Sequence, residues 1–443
     1  MKSKKTKAGR KLPGQCLKTH ISANNHDFRG SCICSGYAIS VPFAVAGDVA
    51  HIVIDAVSSH SPRGFGRIAD LNEPSIHRIT PLCPFVTECG SCEGAFIDYN
   101  YQIQLKKKLL GELFNRNAEF VPSKNRYGWR SKAKFIATAG PDDKTILGSY
   151  KPDSHDVFEM LDCVILTDEI RRVLPELRKT VAQIPAYNES TGEGILRSVM
   201  LKSGEGVVIT FITAVMPSPG IIEDMKSLMG KDGVIGVSLN INPEKTNRLA
   251  GKEEILLAGE RLVRVSVPGG FQYCDAVSFS QANSSVAFEA YSYIIELAVG
   301  KSSVFEIFAG SGGISISLAE AGFDVTALEI NPFLTSAGRL SSKKVNFITG
   351  DAGDSGLINN ILNSKSFDVI VVNPPRGGLD RATVEAIVDS DVNFIIYMSC
   401  NPFTLKRDTD LLATSGFELA RLRGFDMFPD SHHFETVAGF IRP

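Results

Sequence analysis

A cysteine and a carboxylate near the C-terminus have the residue types needed for covalent catalysis. Cys400 stands in Ser399-Cys400-Asn401-Pro402, directly after a short apolar segment. A cysteine at the tip of a predicted strand is a candidate nucleophile, because its thiolate can form a covalent intermediate. Further along, Glu435 follows His432 and His433, and each of these three side chains can accept a proton. The sequence therefore predicts a nucleophile at Cys400 and leaves Glu435, His432 and His433 as competing candidates for the base.

A glycine-rich turn upstream indicates a cofactor site. An apolar segment ending at Phe308 runs into Ala309-Gly310-Ser311-Gly312-Gly313, where glycines let a ligand approach the backbone closely. The next predicted strands end in Glu329, Asp351 and Asn373. An acid about twenty residues after such a turn can accept hydrogen bonds from ribose hydroxyls. The set suits S-adenosylmethionine better than a dinucleotide, because a nicotinamide site needs a tighter phosphate-binding turn.

A second group of cysteines has the spacing of metal ligands. Cys83, Cys89 and Cys92 are close enough in sequence for three thiolates to reach one metal centre. A closed site needs a fourth ligand from elsewhere in the chain. Spacing alone leaves both zinc and an iron–sulfur cluster open.

The hydrophobic pattern divides the chain into segments that position these residues. Residues 1–30 are polar and Lys-rich, and we predict a disordered basic tail there. Residues 31–80 have the short β-type runs of a small barrel. Residues 81–270 read as a β-rich central domain with helices at 99–114, 168–183 and 221–229. Residues 271–443 alternate short apolar strands with helices, which predicts an α/β fold with a parallel doubly wound sheet.

Composition bounds the possible classes of protein without choosing a substrate. The chain has 443 residues and a net charge of −2, so its bulk charge does not indicate a nucleic-acid partner. It contains neither the apolar run of a membrane span nor that of a signal peptide. We therefore predict a cytoplasmic protein whose nine cysteines form no structural disulfides. Basic residues do cluster locally, at Lys2–Lys11, Lys106–Lys108 and, interleaved with Tyr127 and Trp129, at Lys124–Lys134.

Four motifs together resemble the RNA 5-methyluridine methyltransferases, over roughly residues 36–443. The motifs are Phe279-Ser280-Gln281-Ala282-Asn283, Asn373-Pro374-Pro375-Arg376-Gly377-Gly378-Leu379, Ser399-Cys400-Asn401-Pro402 with Arg407-Asp408, and Asp426-Met427-Phe428-Pro429 with Glu435-Thr436. The resemblance implies a Rossmann-like catalytic domain in which Cys400 adds to carbon 6 of a uracil and Glu435 removes the proton from carbon 5. It also implies an S-adenosylmethionine site formed by Gln281, Phe308, Gly310, Glu329, Asp351 and Asn373.

The cysteine pattern resembles the ribosomal RNA members of this family more than the tRNA enzyme. Those members have a similar run around Cys163, so the resemblance implies a [4Fe–4S] cluster on Cys83, Cys89, Cys92 and Cys163. The barrel segment loosely resembles the RNA-binding TRAM domain. The implied partner is 23S ribosomal RNA, bound by a monomer. The resemblance also implies that helix 99–114 packs on the catalytic domain.

The sequence departs from the family pattern at three positions and leaves other classes open. Relatives usually have Asp at Glu306, Asn at Gly313 and Asp at Asn373. One alternative is a tRNA 5-methyluridine methyltransferase, and another is a non-catalytic, metal-bearing RNA-binding protein. A methyltransferase acting on exocyclic nitrogens is a further alternative, but its motif usually has an aromatic residue where Arg376 stands, and it does not need Cys400.

Overall fold

The computed structural model describes residues 13–152, 154–245, 248 and 250–443. These residues form two units, each with its own core. The N-terminal unit comprises the described residues up to Arg116 together with Phe428–His433, and the C-terminal unit comprises Asn117–Met427 and Phe434–Pro443. In the described part of the chain, no helix is both long and apolar enough to span a membrane.

The N-terminal unit is built on a sheet whose two edges are nearly contiguous in the chain. The strand order is β1-β5-β6-β4-β3-β2, and two residues separate β1 from β2, so the sheet curls back on itself. In β5, inward-facing Ala50, Ile52 and Ile54 alternate with half-buried or exposed residues, the pattern of a strand with one face in a core. The elements of this unit are β1 (Cys16–His20), β2 (Ala23–Asn24), β3 (Gly30–Cys34), β4 (Tyr37–Val41), β5 (Val49–Val57), β6 (Arg63–Glu73), α1 (Val86–Cys89) and α2 (Tyr99–Phe114).

Helix α2 holds the C-terminal segment that belongs to this unit. Gln102 is fully buried, and its side chain both donates to Asp430 Oδ1 at 2.8 Å and accepts from the Asp430 N–H at 3.1 Å. The Lys106 ammonium donates to the Phe428 carbonyl at 3.1 Å. The helix therefore packs on the loop Phe428–His433, which joins the last two strands of the chain.

A seven-stranded sheet occupies the first half of the C-terminal unit. Its order is β10-β9-β8-β11-β12-β13-β14, and α3 covers one face through Ile170, Val173, Leu174 and Leu177, which recur at helical spacing. The elements in this part of the chain are β7 (Glu119–Val121), β8 (Lys132–Ala139), a 3-10 turn (Pro141–Asp143), β9 (Thr145–Tyr150), β10 (Val157–Glu159), α3 (Asp168–Val181), β11 (Leu196–Gly204), β12 (Gly206–Thr213), α4 (Pro219–Lys226), β13 (Val234–Ile241), β14 (Glu253–Gly259), β15 (Val263–Val267) and β16 (Gly270–Cys274). Strand β7 belongs to the eight-stranded sheet, and β15 and β16 pair with each other in a separate two-stranded sheet.

An eight-stranded mixed sheet forms the second half of the C-terminal unit. Its order is β19-β18-β17-β20-β21-β23-β22-β7; the first five strands are parallel, and β23 pairs antiparallel with β21 and β22. Its further elements are α5 (Ser284–Ala298), β17 (Ser303–Ile307), α6 (Gly313–Glu320), β18 (Asp324–Glu329), α7 (Pro332–Ser341), β19 (Val345–Thr349), α8 (Ser355–Ser364), β20 (Val369–Val372), α9 (Arg381–Val388), β21 (Phe394–Ser399), α10 (Pro402–Ala413), β22 (Glu418–Phe425) and β23 (Glu435–Ile441).

The structure confirms several predicted elements and corrects one segment. The helix predicted at 99–114 and the parallel strands of the C-terminal half are present. The predicted tail is wrong for residues 16–24, because these form β1 and β2. Strand β1 is held by backbone pairing with β5 rather than by a buried face, so its side chains gave no strand signal. Residues 1–12, which carry most of the predicted basic tail, lie outside the described residues.

Candidate active site

The ends of the parallel strands bring most of the predicted site residues to one edge of the eight-stranded sheet. Phe308 follows β17, Glu329 ends β18, Asn373 follows β20 and Cys400 follows β21. Because the carboxyl ends of parallel strands meet at the same edge, this edge forms the ligand-binding crevice of an open α/β sheet.

The turn after β17 has a left-handed backbone conformation at three of its residues. Phe308, Gly310 and Gly312 have φ angles of 66°, 58° and 91°, in the left-handed region that non-glycine residues rarely adopt. A Cβ on Gly312 would lie 2.5 Å from Phe347 Cζ, so only glycine fits there. A Cβ on Gly310 would meet nothing within 4 Å, so the turn has open space above it.

Glu329 is fixed beside this turn. Its Oε2 accepts a hydrogen bond from the Gly310 N–H at 2.9 Å, and its Oε1 accepts one from the Asn331 N–H at 2.9 Å. These bonds leave lone pairs on both oxygens for the two hydroxyls of a ribose. Ile330 comes next and is 61% exposed, which is unusual for a large apolar residue at a strand end. We missed Ile330 in the sequence, although an apolar residue directly after the strand-end acid was a usable signal.

Asp351 lies at the surface in a turn. Its Oδ1 accepts a hydrogen bond from the Gly353 N–H at 2.8 Å, so this oxygen stabilises the loop before α8. The side chain is exposed, which leaves its other oxygen accessible to a ligand. Asp351 therefore has both a structural role and a position at the edge of the crevice.

At Gly313, where the resemblance leads one to expect asparagine, the structure has no room for a larger side chain. A Cβ on Gly313 would lie 2.9 Å from Gln272 Oε1 and 3.0 Å from Tyr291 Oη. These two side chains fill the space that an asparagine would need. The neighbouring Gln272 and Tyr291 side chains therefore require a glycine at position 313.

Cys400 lies between the end of β21 and the start of α10. Asn401 caps the helix by accepting a hydrogen bond from the Phe403 N–H at 3.1 Å. Burial and, to a lesser extent, the nearby Glu435 carboxylate raise the pKa of the Cys400 thiol to about 11, although the Arg376 guanidinium opposes both effects. The thiol is therefore protonated in the absence of a partner that stabilises the thiolate.

Glu435 lies opposite Cys400 in the sheet. Ser399 at the end of β21 pairs with Thr436 in β23. Cys400, which follows Ser399, and Glu435, which precedes Thr436, are therefore neighbours across the two strands of the sheet. Glu435 is 2% exposed, and its Oε2 has no hydrogen-bond partner among the described residues. Burial raises its pKa to about 8, and Arg376 lowers it in part. A buried carboxylate oxygen without a partner is costly, so it indicates a site for a ligand group.

Arg376 is a site residue that we did not assign from the sequence. Its backbone carbonyl accepts hydrogen bonds from Asn401 Nδ2 at 3.4 Å and Thr404 Oγ1 at 3.3 Å, which places it beside the Cys400 turn. Its guanidinium acts on both Cys400 and Glu435. The signal was present in Asn373-Pro374-Pro375-Arg376, where a cation follows a strand end.

A buried carboxylate holds the Arg376 loop against α10. Asp408 is fully buried and accepts hydrogen bonds from the Tyr397 hydroxyl at 2.7 Å and the Leu379 N–H at 2.9 Å. Arg407 pairs with Asp408 at 2.6 Å and donates to the Gly377 carbonyl at 2.9 Å. The loop from Asn373 to Leu379 is therefore fixed by several independent bonds.

The remaining predicted residues belong to other segments of the chain. Gln281 is buried in the loop before α5, and the nearby Phe279 is 72% exposed. His432 belongs to the N-terminal unit, where its Nδ1 lies 3.6 Å from Glu93 Oε1. The Glu435 carboxylate raises the pKa of the Cys400 thiol, so the two groups act on each other within the C-terminal unit.

The predicted metal ligands are divided between the two units. Cys83, Cys89 and Cys92 flank the short helix α1 in the N-terminal unit, and Cys163 belongs to the C-terminal unit. Over the described ranges, no group of three or more His, Cys, Asp or Glu side chains has the arrangement of a metal site.

Comparison with known proteins gives one family match and many full-length relatives. Residues 339–441 match the family model described as tRNA (Uracil-5-)-methyltransferase. A protein named uncharacterized RNA methyltransferase from Bacillus cereus is 29% identical over 437 residues, which cover 93% of each chain. One with the same description from Listeria innocua is 28% identical over 444 residues, covering 96% of this chain and 97% of the relative.

A solved structure shares the fold over nearly the whole chain. It is the Pyrococcus abyssi tRNA (uracil-54, C5)-methyltransferase in complex with S-adenosyl-L-homocysteine. The TM-score is 0.78 and the identity is 24%, and the alignment covers 96% of this chain and 99% of the other. At this identity, the likeness establishes the fold alone.

The buried carboxylate of Glu435 makes stability depend on pH. Its pKa is raised from 4.5 to about 8 in the folded state. The stabilisation that comes from this difference is therefore complete when the pH is below the pKa of the unfolded chain, and it is lost as the pH rises through about 8. Glu435→Gln removes this loss because glutamine is neutral. We therefore expect the melting temperature of the variant minus that of the parent to become larger between about pH 6 and about pH 9.

Differential scanning calorimetry across this range measures the effect. Glu385→Gln is the matched control, because Glu385 lies in an exposed ion pair with Arg381 and exposed pairs contribute little to stability. A difference between Glu435→Gln and the parent that stays constant with pH would contradict the raised pKa of Glu435.

Proposed function

We propose that this chain, whose residues 339–441 match the tRNA (Uracil-5-)-methyltransferase model, is an RNA (uracil-5-)-methyltransferase. It transfers a methyl group from S-adenosylmethionine to carbon 5 of a uridine in RNA through a covalent Cys400–uracil adduct. The observation that carries the proposal is the unpartnered Glu435 carboxylate oxygen, buried opposite Cys400 and beside Arg376. A thiol and a base on the same side of a ligand crevice are the two groups that this reaction needs.

The residues around the turn after β17 fit the cofactor. The open space above Gly310 accommodates a ligand, Glu329 can accept from its ribose, and Asp351 can accept from its adenine amino group. The exposed Ile330 offers an apolar surface for the purine ring. When bound, S-adenosylmethionine supplies a methyl group that its sulfonium makes electrophilic.

Cys400 makes carbon 5 reactive. Carbon 5 of uracil is a weak nucleophile, so the Cys400 thiolate first forms a bond from Sγ to carbon 6. The π electrons of the carbon 5–carbon 6 bond then shift toward carbon 4 and its oxygen, which gives an enolate with nucleophilic carbon 5. Arg376 assists this step because its positive charge lowers the pKa of the Cys400 thiol.

Glu435 completes the reaction after carbon 5 has received the methyl group. Its carboxylate removes the remaining proton from carbon 5, and the electron pair of that bond restores the double bond to carbon 6. The bond between carbon 6 and Sγ breaks at the same time and returns the Cys400 thiolate. Because water is excluded from Glu435, which is 2% exposed, the base is available to the substrate rather than to solvent.

Glu435→Gln is expected to trap the covalent intermediate. Cys400 still adds to carbon 6 and carbon 5 is still methylated, but glutamine cannot remove the proton, so the adduct persists. Denaturing gel electrophoresis with labelled RNA should show a protein–RNA band for this variant. Cys400→Ala is the matched control, with neither a band nor methyl transfer. Multiple turnover by Glu435→Gln would assign the base role to another group.

Two classes of RNA are possible substrates. We propose 23S ribosomal RNA, supported by the similarity of the cysteine pattern around Cys83–Cys92 and Cys163 to that of ribosomal RNA members. Transfer RNA is the second candidate, favoured by the description of the matched family model. We propose that the curled sheet of the N-terminal unit corresponds to the TRAM domain and contacts this RNA.

Deleting the gene should remove 5-methyluridine from the RNA class that the enzyme modifies. Nucleoside mass spectrometry of separated ribosomal and transfer RNA, with and without the gene, measures the loss. We expect it in large-subunit ribosomal RNA, with re-expression of the parent as the control. Loss from transfer RNA alone would keep the chemistry and overturn the substrate. No loss from either would favour a non-catalytic RNA-binding protein.

We further propose a [4Fe–4S] cluster on Cys83, Cys89, Cys92 and Cys163, which rests on the family resemblance alone. Chain purified without oxygen is expected to contain about four iron and four sulfide per protein. Cys89→Ser should remove the iron, whereas Cys16→Ser, at an exposed cysteine outside the pattern, should not. Zinc in place of iron, or no metal at all, would overturn the cluster without affecting the methylation proposal.

A further inference from the structure

Two lysines are buried beneath the loop that carries Gln281. Lys202 in β11 is 0% exposed, and Lys132 in β8 is its direct cross-strand partner. Both side chains lie on the face of the seven-stranded sheet opposite to α3. Two adjacent ammonium groups in a protein interior repel each other and lose their hydration, so the arrangement is costly unless it is compensated.

The compensation comes from backbone carbonyls of the loop Val277–Asn283. Lys202 Nζ donates to Gln281 O at 3.4 Å, and Lys132 Nζ donates to Val277 O at 3.2 Å and also to Ser278 O. The bonds from the two lysines thus reach both ends of the loop.

Ser131 adds further bonds to the same loop. Its N–H and its hydroxyl each donate to Ala282 O at 2.8 Å, and its hydroxyl oxygen accepts from Lys202 Nζ at 2.7 Å. Ser131 therefore links the buried Lys202 ammonium to the loop backbone.

Among the described residues, no carboxylate forms an ion pair with either lysine, although Asp275 raises the pKa of Lys132 in part. Within the described ranges, neither Lys132 nor Lys202 has an acidic side chain at salt-bridge distance. Asp275 lies near Lys132 but accepts hydrogen bonds from the N–H and the hydroxyl of Ser278, at 2.6 and 2.9 Å. Burial lowers the pKa of Lys202 to about 8, which reflects the cost of its charge.

The cost of these charges suggests a role other than stability. An apolar side chain of similar length in place of a buried ammonium is often neutral or stabilising. The lysines do, however, fix the backbone of a loop that presents Gln281 and the 72% exposed Phe279. Groups that reduce stability while fixing a ligand-binding segment are typical of functional sites.

We propose that Lys202 and Lys132 are positioning residues, which hold the loop Val277–Asn283 in the conformation that binds the methyl donor and the target base. The inference rests on the proposed function, in which Gln281 belongs to the cofactor site. It assigns to the central sheet the task of preorganising that site. A loop that is already ordered binds its ligand more tightly, because the ordering entropy is not lost on binding.

The test compares Lys202→Met with Lys134→Met. Lys134 lies on the same strand and sheet face as Lys132 and is also partly buried, but among the described residues it makes no hydrogen bond to the loop. Calorimetric titration with S-adenosylhomocysteine gives the affinity, and thermal unfolding gives the stability. Hydrogen exchange of residues 277–283 reports the order of the loop without a ligand.

Lys202→Met is expected to weaken S-adenosylhomocysteine binding about tenfold, which corresponds to ~1.4 kcal/mol, with an unchanged or higher melting temperature. The amides of the loop should exchange faster, whereas Lys134→Met should behave like the parent. Lys132→Met, which removes the bonds to Val277 and Ser278, should repeat the pattern and replaces Lys202→Met if that variant does not fold.

Opposite directions of affinity and stability separate positioning from a structural role. If the lysine variants bind S-adenosylhomocysteine as tightly as the parent does, and if their loop amides exchange at the rate of the parent, the inference is overturned. The proposed function is not affected by that result. If the parent itself does not bind S-adenosylhomocysteine, the proposed function fails, and the exchange of the loop still decides whether the lysines hold it.

Discussion

The burial of the Glu435 carboxylate opposite Cys400 is the constraint on which the active site depends. Two groups that can both become anionic, the half-buried Cys400 and the buried Glu435, are neighbours, and Arg376 is the cation that acts on both. Each therefore resists ionisation even beside Arg376, until a ligand stabilises its charge. Glu435, whose pKa is near 8, is suited to proton transfer. Cys400, whose thiol needs activation, is suited to addition to the substrate.

The surrounding fold maintains this pairing from two sides. The antiparallel strand β23, next to the parallel strand β21, sets Glu435 opposite Cys400 through the register of Ser399 and Thr436. The buried Asp408 fixes the loop that carries Arg376. Stabilising charges are thus oriented before the substrate arrives, so little reorganisation is needed during the reaction.

The sequence predicted the fold class and the strand-end residues because parallel strands bring their carboxyl ends together whatever their separation in the chain. It could not predict that Lys132 and Lys134 are largely buried, since a basic run with Trp129 also fits an exposed RNA surface. The role of Arg376 was missed because it depends on a neighbour brought in by β23. Strand β1 was missed because backbone pairing leaves no side-chain pattern.

Covalent capture with 5-fluorouridine RNA tests the central claim most directly. A fluorine at carbon 5 cannot be removed as a proton, so the enzyme should stop at the methylated adduct. Transcripts of ribosomal and transfer RNA containing 5-fluorouridine, incubated with S-adenosylmethionine and the full chain, should give a stable cross-link that peptide mass spectrometry locates at Cys400. No cross-link, or one at another cysteine, would contradict the assignment of Cys400 and Glu435 as the reacting pair.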